Sequence, residues 1–187
     1  MSGPVLEPIA LAPAVVRPLA EAVARLAGSF NKQDAALAFY ALAKLGVAEP
    51  ALVQPVADAA VRESPPDSPT DAANNLWAAA TLGLRETRVT GPLVTFAAHF
   101  AARLDAGEAA NALWAAGTLC VADARAVEAL AGAAARFLGG FSAQETVNSL
   151  WAAAATGVRE PRLLRAFFEG ALRHARDLTA LQASQCL

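Results

Sequence analysis

Tyr40, Trp77, Trp114 and Trp151 stand 37 residues apart at every step, and the chain has no other tryptophan. A fixed period of this length marks a stack of like units, each too small to bury its apolar face alone. The neighbours repeat as well: Ala38-Phe39-Tyr40-Ala41, Asn75-Leu76-Trp77-Ala78, Ala112-Leu113-Trp114-Ala115 and Ser149-Leu150-Trp151-Ala152. Any fold proposed for the chain has to place these four segments equivalently.

Each segment carries helix punctuation. Nine residues before the aromatic come Asn31, Ser68, Asp105 and Ser142, all of the type that caps a helix N-terminus. Three residues further on lie Asp34, Asp71, Glu108 and Glu145, which makes a strict capping box at Ser142–Glu145 and looser versions elsewhere. Six residues after the aromatic come Gly46, Gly83, Cys120 and Gly157; glycine suits the left-handed residue that ends a helix. This first helix, A, therefore spans about four turns. A second helix, B, opens at Glu49-Pro50, Glu86-Thr87, Asp123-Ala124 and Glu160-Pro161, where proline and an adjacent acid both favour a helix start. Its apolar residues recur at helical spacing, as in Leu163, Leu164, Phe167, Phe168, Ala171 and Leu172. Ala12-Pro13 repeats that start one unit earlier.

The expected fold is all-α: an α-solenoid of 37-residue A/B repeats wound as a right-handed superhelix. Its parts are an orphan helix B over 1–30, repeats over 31–67, 68–104, 105–141 and 142–178, and the start of a truncated repeat over 179–187. In that last segment Thr179 and Gln182 take the cap and third positions, and the chain ends at Leu187, one residue short of the next aromatic slot. The sequence reads as a piece of a longer array or an interrupted gene model, with Leu181, Leu187 and the apolar face of 13–27 exposed at the ends.

Composition fits this plan. Hydrophobic residues make up 56% of the 187, enough for a core, and alanine, the best helix former, dominates. No apolar run is long enough for a membrane helix. Neither a signal peptide nor a clear transit peptide is visible in the first residues, where Glu7 and Glu21 stand with only Arg17 and Arg25. Cys120 and Cys186 show no framework spacing and fit a reducing compartment. Nothing suggests catalysis: glycine-rich phosphate loops, paired carboxylates and nucleophile motifs are missing. His99 and His174 occupy different repeat positions without ligand-type neighbours, so no metal, cofactor or small-molecule substrate is expected. The net charge of −2 weighs against bulk electrostatic binding to nucleic acid.

The strings Asn111-Ala112-Leu113-Trp114-Ala115-Ala116 and Asn148-Ser149-Leu150-Trp151-Ala152-Ala153, with Asn74 to Ala79, resemble the octotricopeptide repeat family. These are helical-repeat proteins of algal and protist organelles, akin to repeats that often precede a RAP domain. The first repeat departs, with Leu37 for the asparagine and Tyr40 for the tryptophan, and the period is 37 where about 38 is usual. The resemblance spans 31–187. It implies sequence-selective binding of single-stranded or ribosomal RNA in a mitochondrion or chloroplast. The implied roles are RNA stabilisation, processing or translation, or a place in a mitochondrial ribosome. A protein-binding scaffold, or a structural subunit contacting other protein subunits, is the other reading and suits the acidic balance.

Helix A has two apolar rows, read in the second repeat as Ala72, Leu76, Ala79 and Ala73, Trp77, Ala80. The remaining stripe is Asp71, Asn74, Ala78, Thr81, Arg85. Its counterparts are Glu108, Asn111, Ala115, Thr118; then Glu145, Asn148, Ala152, Ala155, Arg159; and Asp34, Leu37, Ala41, Lys44. Stacked stripes form a shallow trough in which alanines let a strand come close and amides can meet base edges. Two readings of Asn74, Asn111 and Asn148 stand: ligand contact, or hydrogen bonds that hold the stack in register. Positions that read a ligand should vary between repeats, as Asn75/Ala112/Ser149 and Lys44/Thr81/Thr118/Ala155 do. The expected RNA contacts are thus Lys44, Asn74, Asn75, Thr81, Asn111, Thr118, Asn148 and Ser149, with Arg85 and Arg159 on phosphates. The tryptophans are expected to pack between repeats. On helix B, Arg25, Arg62, His99, Arg136 and Arg173 form a column, and Arg88, Arg125 and Arg162 another. The pairs Glu21–Arg25, Asp58–Arg62 and Glu169–Arg173 favour a solvated, charge-paired face there over a phosphate track.

Overall fold

The structure, a computed structural model, describes residues 13–62, 67–176 and 178–179. Within them the chain is all-α. Helices run Pro13–Leu26 (α1), Lys32–Lys44 (α2), Pro50–Arg62 (α3), Pro69–Thr81 (α4), Thr87–His99 (α5), Ala106–Thr118 (α6), Ala124–Ala135 (α7), Ala143–Ala155 (α8) and Pro161–Arg173 (α9). Short 3-10 turns at Ala27–Ser29 and Ala101–Arg103 follow α1 and α5. The even-numbered helices are the A helices of the sequence pattern and the odd-numbered ones the B helices; the starts of each kind lie 37 residues apart. Leu181, Gln182 and Leu187, on which the expectation of a further repeat rested, lie outside the described residues.

Local chemistry fixes the ends of helix A. The side chains of Asn31, Ser68, Asp105 and Ser142 accept from the backbone N–H three residues on. The capping box closes fully at Asp105–Glu108 as well as at Ser142–Glu145, since a carboxylate accepts as readily as a hydroxyl. At the other end Gly46, Gly83 and Gly157 take φ near +70°, and Cys120 is forced to +53°. That turn lets the N–H of Val47, Leu84, Val121 and Val158 donate to the carbonyls of Leu42, Ala79, Ala116 and Ala153, five residues back, at 2.9–3.0 Å. Cys120 does the work of a glycine at a steric cost.

Helix B differs in its interior. Pro18, Pro55 and Pro92 stand inside α1, α3 and α5 at one repeat position, where α7 and α9 carry Ala129 and Ala166.

Packing follows the alternation. Each A helix lies against the next, α2 on α4, α4 on α6, α6 on α8, and these are the most extensive contacts in the molecule. The B helices form a parallel series, α1 on α3 through α7 on α9, and each A packs on the B that follows it. Phe39, Leu76, Leu113 and Leu150 are buried or nearly so, at the position one before the aromatic. The A row is tight because its contact residues are small. A methyl group added at Gly117 would meet the Cα of Ala152 at 2.9 Å and the Trp151 ring at 3.1 Å.

Candidate ligand-binding face

An A helix in mid-row is covered on three sides, by its two A neighbours and its own B. What is left is a narrow stripe, and it is set one residue away from the sequence expectation. Ala78, Ala115 and Ala152, expected at the floor of the trough, are fully buried; only Ala41, on the outermost A helix described, is exposed. Asn75 and Ser149, expected to read a ligand, are 2% and 0% exposed. Both side chains are sealed within the packing, with the Asn75 carbonyl oxygen and the Ser149 hydroxyl lacking a hydrogen-bond partner there. They vary between repeats because small residues of several kinds fit that space, so the variation reports packing.

The exposed stripe is instead Gln33, Leu37, Tyr40, Lys44; then Thr70, Asn74, Trp77, Thr81; then Gly107, Asn111, Trp114, Thr118; then Gln144, Asn148, Trp151, Ala155. Its members are exposed or half-buried throughout. Helical geometry puts residues at i, i+4, i+7 and i+11 on one face. The asparagines are therefore at the surface, and the aromatics stand beside them. The aromatics pack as expected, and also carry surface. Tyr40 and Trp77 touch across α2 and α4 with ring centres 5.4 Å apart and planes tilted by 48°. Trp151, with no A helix beyond it among the described residues, is 36% exposed. The missed signal was the spacing itself: Asn and Trp three residues apart share a face.

Lys44 does not stand free at the end of its stripe. Its ammonium lies 4.8 Å from the Trp77 ring centre and 5.3 Å from that of Tyr40, a cation–π contact that bridges α2 and α4. The Thr118 hydroxyl donates to the Trp114 carbonyl at 3.0 Å, while Thr81 is exposed. Asn148 accepts from Gln144 at 2.7 Å, within its own helix. Between α4, α6 and α8 the stripe dips into a cleft of about 170 Å³ lined by Trp77, Ala110, Asn111, Trp114, Glu145 and Asn148. Arg85 and Arg159 are exposed beyond the helix ends; Arg85 approaches the Cys120 sulfur at 3.9 Å. The structure thus brings Asn74, Asn111 and Asn148 together with Lys44, Thr81 and Thr118, and removes Asn75 and Ser149. A larger cleft, of about 610 Å³, lies between α1 and the α2–α3 turn; its charged members, Arg17 and Glu49, are paired with each other.

The opposite side of the molecule is organised by arginine, in a way the local pairs did not suggest. None of Glu21–Arg25, Asp58–Arg62 and Glu169–Arg173 forms. Arg62 donates to the carbonyls of Ala27 and Phe30, Arg136 to those of Ala101 and Leu104, and Arg173 to that of Leu138, at 3.0–3.4 Å. Each guanidinium reaches back 32 to 35 residues and binds carbonyls of the turn that follows the preceding B helix. The acids go elsewhere: Glu21 to Arg17, Asp58 to Arg88, Glu169 to Arg165. For Arg165 the hydrogen bond to Glu169 and its charge hold the guanidinium above its ordinary pKa. For Arg88 desolvation is the largest single effect and lowers the value, but Asp58 and Glu86 together outweigh it and the value is again raised. The column is exposed, as expected, but the expected pairing with acids four residues back is replaced: Arg62, Arg136 and Arg173 bind backbone carbonyls.

Neither a comparison with protein-family models nor a search of curated proteins returns a match. No described helix is long and apolar enough to cross a membrane.

Proposed function

We propose that the chain is a right-handed α-solenoid of 37-residue repeats, and that the exposed stripes of its A helices bind single-stranded RNA. The observation that carries the reading is the pairing of an amide with an indole on successive A helices: Asn74 with Trp77, Asn111 with Trp114, Asn148 with Trp151. A base offers a π-face and a hydrogen-bonding edge. An indole edge or face and an amide one turn away answer both. Lys44, Thr81 and Thr118 extend the stripe at one end, and Arg85 and Arg159 reach phosphates beyond it. The setting in a mitochondrion or chloroplast, and a role in RNA stabilisation, processing, translation or a mitochondrial ribosome, rest on the resemblance to octotricopeptide repeats. The activity is binding, without catalysis.

Few cations border the stripe, so affinity falls only gently with salt, by the release of about two to four counterions. The test is fluorescence anisotropy of a labelled random RNA pool with the 187-residue chain. Trp151→Ala weakens binding about tenfold, since stacking on an aromatic contributes about 1–3 kcal/mol per base, and Asn111→Ala weakens it about fivefold through loss of a hydrogen bond of about 1 kcal/mol. Arg125→Ala, on the B side, leaves it unchanged. Absence of RNA binding at any salt concentration rejects the reading. One observation favours a second reading, a scaffold for a basic peptide: Asp34, Asp71, Glu108 and Glu145 line the first-turn edge of the same stripe. A lysine-rich peptide binding where RNA does not decides for the scaffold.

A further inference from the structure

Both ends of the B row expose apolar side chains, and at two positions, those of Phe168 and Leu19, every equivalent residue in the other B helices is buried. At one end the row Leu164, Phe168, Leu172 runs along α9, with Phe168 53% and Leu172 72% exposed. One, two, three and four repeats earlier the Phe168 position is Ala131, Val94, Ala57 and Ala20, all buried at 3% or less. In each of those helices the following B helix packs over this position. At the other end α1 exposes Val15, Leu19 and Leu26 at 51–57%. The Leu19 position in α3, α5, α7 and α9 is Val56, Leu93, Leu130 and Phe167, all 0% exposed.

The arginine column gives the same two ends a polar match. Arg62, Arg136 and Arg173 each find the carbonyl 35 residues back, at Ala27, Ala101 and Leu138. Arg25 is the first member of the column, and among the described residues no carbonyl lies behind it to accept. Ala175 is the next acceptor position after Leu138, and no guanidinium among the described residues reaches its carbonyl. One end thus has a donor and an apolar row without a partner, and the other has the acceptor and the apolar row that internal repeats pair with them.

We propose that a second copy of this chain docks head to tail, its α1 against the Leu164–Phe168–Leu172 row of α9, with its Arg25 capping the Ala175 carbonyl. The contact continues the internal packing of B on B, which occurs four times within the chain, from α1 on α3 to α7 on α9. It is heterologous: each copy uses two different surfaces, so association grows into chains or rings and does not stop at a symmetric dimer. The inference is independent of RNA binding, because it uses the B row and the ends and leaves the A stripe open.

Sedimentation velocity of the 187-residue chain over a hundredfold concentration range tests it. The expected result is a weight-average mass that rises steadily with concentration. Phe168→Glu blocks the tail and Leu19→Glu blocks the head. Both sites are more than half exposed, so the variants keep the parent's helical circular dichroism, and Leu172→Glu and Val15→Glu serve as second blocks of each end. Each blocked variant alone is monomeric. An equimolar mixture of the two forms a dimer and nothing larger, through the one head and one tail still intact. Arg25→Ala weakens that dimer about tenfold, the loss of one charge-assisted hydrogen bond. A wild-type chain that stays monomeric throughout overturns the proposal. So does a Leu19→Glu variant that still associates with itself, which would put the contact tail to tail.

Discussion

The two sides of this molecule hold their successive helices together by different means. On the A side, helices approach closely through alanine and glycine, and their contacts are apolar and extensive. On the B side, contacts between consecutive helices are less extensive, and guanidiniums bridge the junctions: Arg62, Arg136 and Arg173 reach backbone carbonyls, and between α3 and α5 Arg88 reaches Asp58. Close packing leaves little room for change, whereas a long arginine spans a wider gap and tolerates variation beneath it. The A side is thus the more rigid platform. It is also the side whose outward residues are uncharged in mid-stripe.

The largest test of this contrast lies in the A row. Leu113→Ala removes a fully buried side chain and should lower unfolding free energy by about 3–4 kcal/mol. Trp114→Ala, half-exposed, should cost less, about 2 kcal/mol, despite its larger ring. Urea denaturation followed by circular dichroism measures both; an equal or reversed order would mean that the tryptophans are packing residues first. Gly117→Ala comes next. Its methyl has to push α6 from α8, at about 1–3 kcal/mol, although alanine is the better helix former. A Gly117→Ala chain more stable than the parent would show the A row to be looser than the geometry implies. The smallest effect belongs to the B side. Arg136→Met keeps much of the stem but loses two carbonyl contacts, and should cost about 1–1.5 kcal/mol. Arg125→Met, at an exposed position, should cost nothing measurable.

The sequence made helix ends easy to read because capping and left-handed glycine are settled within six residues. Ser142 with Glu145, or Gly157 after Ala155, needs no knowledge of the rest of the fold. Surface assignment was harder. An A helix of this chain is mostly alanine, and alanine suits interior and exterior alike, so Ala78 could be read as floor when it is wall. A shift of one residue, about 100° around the helix, exchanged Trp77 for Ala78 and turned Asn75 and Ser149 from candidate contacts into buried groups. The arginine column was legible as a column but not as a clamp. Its acceptors are backbone carbonyls, invisible in side-chain pattern, while Asp58 stood four residues from Arg62 and offered the obvious partner. Only the packing of α3 on α5 shows that Asp58 turns to Arg88.

The prolines inside α1, α3 and α5 have a consequence for motion in solution. A proline six residues into a helix donates no hydrogen bond to the carbonyl four residues back, here that of Ala14, Ala51 and Arg88. The first turn of each of these helices is therefore tied to the remainder by one link fewer than in α7 or α9. Opening of that turn needs less free energy, and its amides should trade hydrogen for deuterium sooner. An exchange time course would then divide the B row into a quickly labelled half, α1 to α5, and a slowly labelled half, α7 to α9. The A helices, all free of internal proline, would label evenly along the row.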